Sequence, residues 1–495
     1  VDGADAAPGA EAGMDAAVGM DAGVEAAVGM DAGMEAAVGM EAAVGMEAAA
    51  GMDAAGKEAA APMEAGMDAA GPCTAGTAPA GSAQVELCMV NQTMDGFGAA
   101  DVYSGTPLTA AQVTLFFDPT NGIGLSLLRI GIQDDSDTGT VGLLGGAAYA
   151  DAKAANAFGV KVWAAPWSPP AKLKVSGMTD GVTPTTNNVL IAGDYVTWAT
   201  EMAAFPATFK ANTGMELYAM SAQNEPDFNA TSYASCLYSE TQMVTFVGDL
   251  GPMLAALTPP VKMLAAEPDS WSNLWQGDAY GPALVSTSVN IIATHDYGHA
   301  ATGDLTSTRP APPAGITQHI WETEMSDETT PDDITITQGI QTAVWVYAAI
   351  TTGRASAWHY WWLINANTDG EGLLQMGGST AAADIPKRLY TLGNYSKFVR
   401  PGYVNVSVAG TIPANVFISA FKDPASGKAV VVAINNTNAT ASVPVFLSGG
   451  QALLQMTPYE TSATDTLTAL TAVTVTNSSF TAALDAQSVT TFVSN

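Results

Sequence analysis

Basic residues are scarce in this 495-residue chain: 16 Lys and Arg stand against 48 Asp and Glu, a net charge of −32 at pH 7. Such a balance repels polyanions and argues against a nucleic acid or an anionic membrane surface as partner. Histidine is scarcer still, with only His295, His299, His319 and His359. His295 and His299 are four apart, but no third ligand follows nearby, so neither a metal nor any other cofactor is expected. Three cysteines, Cys73, Cys88 and Cys236, are too few for a disulfide framework, and their spacing does not say which pair, if any, is bridged. No apolar run reaches the roughly 18 residues of a membrane span. No signal peptide is visible, and a start at Val1 rather than Met fits an export signal already removed. A secreted protein is expected, and nothing in the charge or the repeats calls for an oligomer, so a monomer is expected too.

Large apolar side chains are missing from the first part of the chain. The first leucine is Leu87 and the first aromatic is Phe97. Residues 1–81 instead repeat phrases such as "GMEAAVGMEAAVGMEAA", with 14 acidic residues, one lysine (Lys57) and nine of the 21 methionines. Such a stretch cannot offset its chain entropy by burial, and its recurrent glycine weakens the helix that alanine favours. It reads as a disordered, flexible acidic tether, one able to hold the protein at a cell surface.

Beyond it the texture is globular. Short apolar runs lie at 95–102, 125–132, 159–167, 215–223, 261–267, 289–297, 316–324 and 355–364, separated by helix-compatible stretches such as 194–211, 239–257 and 336–352. Several runs are apolar throughout, as parallel strands buried on both faces are. Eight such units predict an α/β fold, a (β/α)8 TIM barrel over residues 93–395. From residue 396 on, the runs become short and rich in Val and Thr, split by Gly, Asn and Pro, which predicts an antiparallel β-sandwich side domain over 396–495. The short run within 82–92 is expected to join that domain's sheet.

Barrel enzymes carry their working groups at the C-terminal ends of the strands. Here strand three ends in "APWSPP" with Trp167, strand four in Asn224-Glu225-Pro226, strand six in His295-Asp296-Tyr297 and strand seven in "WETE" with Glu324; strand eight carries Trp361 and Trp362. Arg129 lies inside the apolar second run, where an unpaired guanidinium would be costly. Strands four and seven can bring two carboxylates together, and two carboxylates beside aromatics that stack on sugar rings are the equipment of glycoside hydrolysis. Glu322 and Glu324 are expected on one face of their strand by simple alternation, which leaves the choice between them open.

The phrases "DGFGAADV", "LLRIGI", "APWSPPAKLK", "YAMSAQNEPDF", "THDYG", "IWETE" and "YWWLI", and above all "KRLYTLGNYSKFVRPGYVNV", resemble glycoside hydrolase family 30. The resemblance runs from about residue 84 to 495, and its tail is similar to the side β-domain of the bacterial xylanase branch. It implies a retaining enzyme with Glu225 as general acid/base, protonated at rest, and Glu324 rather than Glu322 as nucleophile. It further implies that Asn224 binds the hydroxyl beside the reacting carbon, that Arg129 and Tyr297 bond the nucleophile, that His295 lines the floor, and that Trp167, Trp361 and Trp362 wall the sugar site. The polysaccharide partner it implies is a xylan or related β-glycan. One departure concerns substrate. The glucuronoxylan-specific branch has two arginines where this chain has Asn365-Ala366. Without that cation, and with −19 left on the chain outside residues 1–80, a neutral or sparsely branched glycan is expected. Endo-β-1,4-xylanase is the leading expectation. An endo-β-1,6-galactanase or β-1,6-glucanase is the alternative among enzymes, and a glycan-binding protein on a dead barrel the alternative outside them.

Overall fold

A computed structural model describes residues 76–134, 138–276, 280–285, 287–297, 309–328, 330–365, 369–375 and 385–495. The acidic repeats expected to form a tether, Cys73, His299 and Ala366 lie outside the described residues. From Gly76 on, the chain rests on the side domain: the Gly76 amide donates to Ser448 Oγ at 2.7 Å, and Gln84 Nε2 donates to the Gly76 carbonyl at 2.9 Å.

Eight parallel strands form the barrel, in chain order: Gly96–Asp101, Leu127–Gln133, Lys161–Pro166, Ala219–Ser221, Lys262–Ala266, Ile291–His295, His319–Glu324 and Ala357–Asn365, numbered one to eight below. Strand eight pairs with strand one and with strand seven, which closes the ring. The near-continuous apolar runs follow from burial on both faces. Leu127, Trp163, Leu264, Ala293 and Trp321 fill the inside. Val162, Met220, Met263, Ile292 and Ile320 face outward beneath the helices. The helices start where the sequence supplies caps. Ser239 and Gln242 form a capping box for Glu240–Ala255, and Thr335 caps Ile336–Thr351. Helix Tyr195–Thr213 ends at Gly214, which takes the left-handed conformation a helix stop favours.

Strand four is shorter than its apolar run. It stops at Ser221 because the next residues bond sideways to neighbouring strand ends. The Asn224 amide donates to the Pro166 carbonyl at 2.9 Å, and Gln223 Nε2 donates to the Trp167 carbonyl at 2.7 Å.

The side domain is one ten-stranded sheet that curls over a core of its own, including Val85, Val406, Val431, Val445, Phe480 and Phe492. Phe480 and Phe492, from strands on distant parts of the sheet path, have ring centroids 5.2 Å apart across that core. Strand Ala83–Thr93 sits inside this sheet, antiparallel to Val404–Gly410 and parallel to Ala441–Ser448. That one parallel pairing departs from the wholly antiparallel expectation: the strand arrives from before the barrel, so no hairpin dictates its direction. Val430, Val432, Ile434, Val489 and Val493 turn the opposite way and pack into the barrel's core. Cys88 is disulfide-bonded, and Cys236 is a free, buried thiol.

Candidate active site

Arg129 is the centre of the site. Its guanidinium is fully buried and would be intolerable there without partners. Its Nη1 donates to Glu324 Oε2, its Nη2 to Asn224 Oδ1, and Nη2 also lies 3.3 Å from Glu267 Oε1. Three indoles surround it, with the guanidinium carbon 5.3, 4.8 and 5.5 Å from the rings of Trp163, Trp167 and Trp361. The bond from Arg129 fixes the Asn224 amide and leaves its Nδ2 hydrogens as donors.

Glu324 accepts a second bond, from the Tyr297 hydroxyl at 2.9 Å. Glu225 accepts from the Tyr233 hydroxyl at 3.3 Å and faces His295 Nδ1 at 3.1 Å. His295 Nε2 lies 3.6 Å from Glu267 and 3.7 Å from Glu324. Burial alone would strip the imidazole of its proton. The Glu324 charge, the bond to Glu225 and the nearby Glu267 carboxylate outweigh it and raise its pKa to about 10, so His295 is an imidazolium at neutral pH. Burial also pushes Glu324 above the ordinary carboxylate range, and the Glu225 charge adds to this against His295 and Arg129. An oxygen of Glu225, an oxygen of Glu324 and a ring nitrogen of His295 all lie within 4.8 Å of one another. Two carboxyls this close resist ionising together.

The structure separates Glu322 from Glu324, against the expectation that they share a face. Pairing of strands six and seven runs Thr294↔Glu322 and then His295↔Glu324, with a register break that leaves Thr323 as an extra residue. Such a bulge reverses the alternation beyond it. Glu324 therefore points into the barrel mouth, while Glu322 lies behind the strand and accepts from Trp271 Nε1 at 3.1 Å. Burial, reinforced by the Asp296 charge, pushes the Glu322 carboxyl well above its usual range, which favours its neutral form.

Every expected site residue is in one place: Arg129, Trp167, Asn224, Glu225, His295, Tyr297, Glu324, Trp361 and Trp362. Trp361 stacks on Trp362 with centroids 4.8 Å apart, and Trp167 lies 5.8 Å from Trp361. Three neighbours were missed. Tyr103 stands edge-on to Trp167 at 6.0 Å, and Tyr233 bonds Glu225 from a loop with no strand pattern to mark it. Glu267 had a visible signal, an acidic residue closing the apolar run "VKMLAAE", as Glu225 follows strand four.

The rim beside Trp361 and Trp362 is acidic. Asn365, at the end of strand eight, bonds Asp369. The Glu371 carbonyl accepts from the Trp362 amide at 3.2 Å. Burial, then Asp369, Glu328 and Glu324, raise the Glu371 carboxyl to about 7. Nearby Arg388 is already engaged, donating from Nε to the Gly372 carbonyl at 2.7 Å and pairing with Asp332.

Residues 148–339 match the glycosyl hydrolase family 30 TIM-barrel domain. A glucuronoxylanase of Bacillus subtilis (strain 168) is 28% identical over 427 residues, spanning 83% of this chain and 91% of that protein. A family 30, subfamily 8 xylanase from Clostridium acetobutylicum superposes with a TM-score of 0.69 at 26% identity, over 84% of this chain and all (100%) of that one. A family 30 endoxylanase from Clostridium papyrosolvens C71 gives 0.67 at 26%, with the same coverage.

Proposed function

We propose that this chain, a glycoside hydrolase resembling the xylanase branch of family 30, is a secreted endo-β-1,4-xylanase that works by double displacement. The observation that carries the reading is the approach of Glu225 and Glu324 within 4.8 Å. Retaining glycosidases hold their carboxyls roughly 5–5.5 Å apart, whereas inverting ones leave about 6.5–9.5 Å for a water. Glu324, gripped by Arg129 and Tyr297, is the nucleophile: its oxygen attacks the anomeric carbon as the glycosidic bond breaks. Glu225 gives its proton to the leaving oxygen. The product of this step is a glycosyl ester on Glu324. Glu225, now ionised, takes a proton from water, whose oxygen attacks the same carbon and releases Glu324 with net retention. The Asn224 amide donates to the adjacent sugar hydroxyl, and Trp167, Trp361 and Trp362 face the apolar C–H surfaces of the sugars.

The acidic rim supports a neutral stretch of glycan as substrate. Asp369 and, where ionised, Glu328 and Glu371 would meet a uronate with like charge. The test is one incubation of the protein with glucuronoxylan, arabinoxylan, β-1,6-galactan and β-1,6-glucan. Products are identified by mass spectrometry and the anomeric configuration of the first product by NMR. Xylo-oligosaccharides with retained configuration and no fixed uronate position are expected. Galactose or glucose oligomers would replace the substrate while keeping the machinery. Inverted configuration would remove Glu324 as nucleophile. Binding without release of sugar would make the chain a lectin-like barrel.

A further inference from the structure

Strand five ends in two consecutive left-handed residues that are not glycine, Ala266 at φ 86° and Glu267 at φ 52°. Such conformations cost on the order of 1–3 kcal/mol each and persist where something over-determines them. The turn places a fully buried carboxylate beneath the catalytic pair. Glu267 Oε2 accepts from Ser221 Oγ on strand four, and Oε1 lies 3.3 Å from Arg129 Nη2 on strand two and 3.6 Å from His295 Nε2 on strand six. Its carbonyl also accepts the Glu225 amide at 3.1 Å. A third carboxylate in a site whose chemistry uses two is expensive to bury and calls for a reason.

We propose that Glu267 is a positioning residue that keeps one proton on the Glu225–Glu324 pair. The inference rests on reading that pair as the catalytic one. Charge counting gives the reason. Arg129 and His295 are cations and Glu267 is an anion, which leaves one net positive charge for the pair. The cluster is then neutral when one member is ionised and the other protonated, the state in which a nucleophile and an acid coexist. Take Glu267 away and the two cations balance two ionised carboxylates, so the acid gives up its proton too early. Of the other groups around the cluster, Glu328 and Glu371 are carboxyls that burial and neighbouring carboxylates push upward, toward the neutral form, so they add little to this count. Tyr233 and Tyr297 are neutral phenols, and His359 on strand eight is a neutral imidazole that accepts from Trp163 Nε1 at 3.1 Å. Burial acts to raise the Glu267 carboxyl, but Arg129, His295 and Ser221 outweigh it and hold it below the ordinary value.

The experiment compares the full chain with Glu267→Gln, which keeps shape and removes charge. Two quantities are read: the pH profile of kcat/KM on a glycan the unaltered chain cleaves, and the imidazole titration of His295 by NMR without substrate. Both limbs of the profile should move to lower pH by about one unit or more, and His295 should titrate at lower pH than before. An even loss at every pH, with limbs and His295 unmoved, overturns the proposal and leaves Glu267 a packing residue. Glu267→Asp serves if Glu267→Gln does not fold. It draws the carboxylate back from Arg129 and His295 by one methylene, so a smaller shift in the same direction is expected, and no shift overturns the proposal. The NMR arm needs no turnover. If the unaltered chain cleaves nothing, the functional reading fails while the His295 titration still decides whether Glu267 holds the cation.

Discussion

Glu322 and Glu324 are the same amino acid two positions apart, and they face opposite sides of strand seven. Glu324 is held by a guanidinium and a phenol, and Glu322 by an indole behind the strand. Glu324→Gln is expected to abolish turnover, a loss on the order of 10⁴-fold or more. Glu322→Gln, at a carboxyl whose surroundings favour its neutral form and which lies away from the barrel mouth, should stay largely active. Initial rates on xylan for the two variants decide it, and the reverse pattern would overturn the assignment. His359 and His295 make a second contrast. Burial and the nearby positive charges of Arg129 and His295, working against its bond to the Glu322 carbonyl, bring His359 down to about 3, well below the ordinary imidazole value of about 6.5. The unfolded chain therefore binds a proton that the folded one refuses. Stability is whole above about pH 6.5 and falls as the pH drops toward 3, by about 1.4 kcal/mol per unit. His295, raised to about 10, has the opposite sign: its contribution is present below pH 6.5 and is lost as the pH rises through 10. Raised carboxyls such as Glu371 act with the opposite sign over this range, so the His359 share is read as a difference: in urea unfolding between pH 4 and 7, the stability of the unaltered chain relative to His359→Gln should fall as the pH drops. A constant difference would acquit His359.

At the scale of the element, most of what the structure shows could be read from side-chain periodicity. Apolar runs marked the eight strands, and the helix-compatible stretch 239–257 holds helix Glu240–Ala255, because patterning is local. The bulge at Thr323 could not be read this way. Alternation within "WETE" is silent about a register break that depends on the neighbouring strand. The left-handed turns at Glu225, Ala266 and Glu267 were hidden for the same reason: no glycine announces them, and tertiary bonds impose them. Glycine matters more at Gly98 on strand one, where an added Cβ would lie 2.5 Å from the His359 ring and 2.8 Å from the Leu127 carbonyl. Gly98→Ala should destabilise the barrel by about 1–3 kcal/mol through overpacking, measured as a lower urea midpoint with an unchanged m-value. An unaltered midpoint would show that the ring can move aside.

For the whole molecule, the side domain behaves as a buttress. Strand Ala83–Thr93 belongs to its sheet although it precedes the barrel in sequence. Helices Ile336–Thr351 and Lys387–Ser396 of the barrel lie against sheet strands, with Tyr347 and Phe417 ring centroids 5.3 Å apart and Asn394 Nδ2 donating to Thr491 Oγ1 at 3.0 Å. A chain ending at residue 400 would expose that surface and leave Ala83–Thr93 as an unpaired edge. It should be insoluble or aggregate on purification, as read by size-exclusion chromatography; a soluble, active fragment would show the side domain to be dispensable.

The same strand also sets a timetable. Ala83 pairs with Gly410 and with Val445, so one of the earliest-made segments of the globular chain waits for some of the latest before its sheet can close. Loop closure on that scale is slow relative to local pairing. On a ribosome the barrel strands emerge before the rest of that sheet, while Ala83–Thr93 holds its backbone groups open. Side-sheet assembly is thus the step at which a growing chain is most exposed to pairing with the wrong partner.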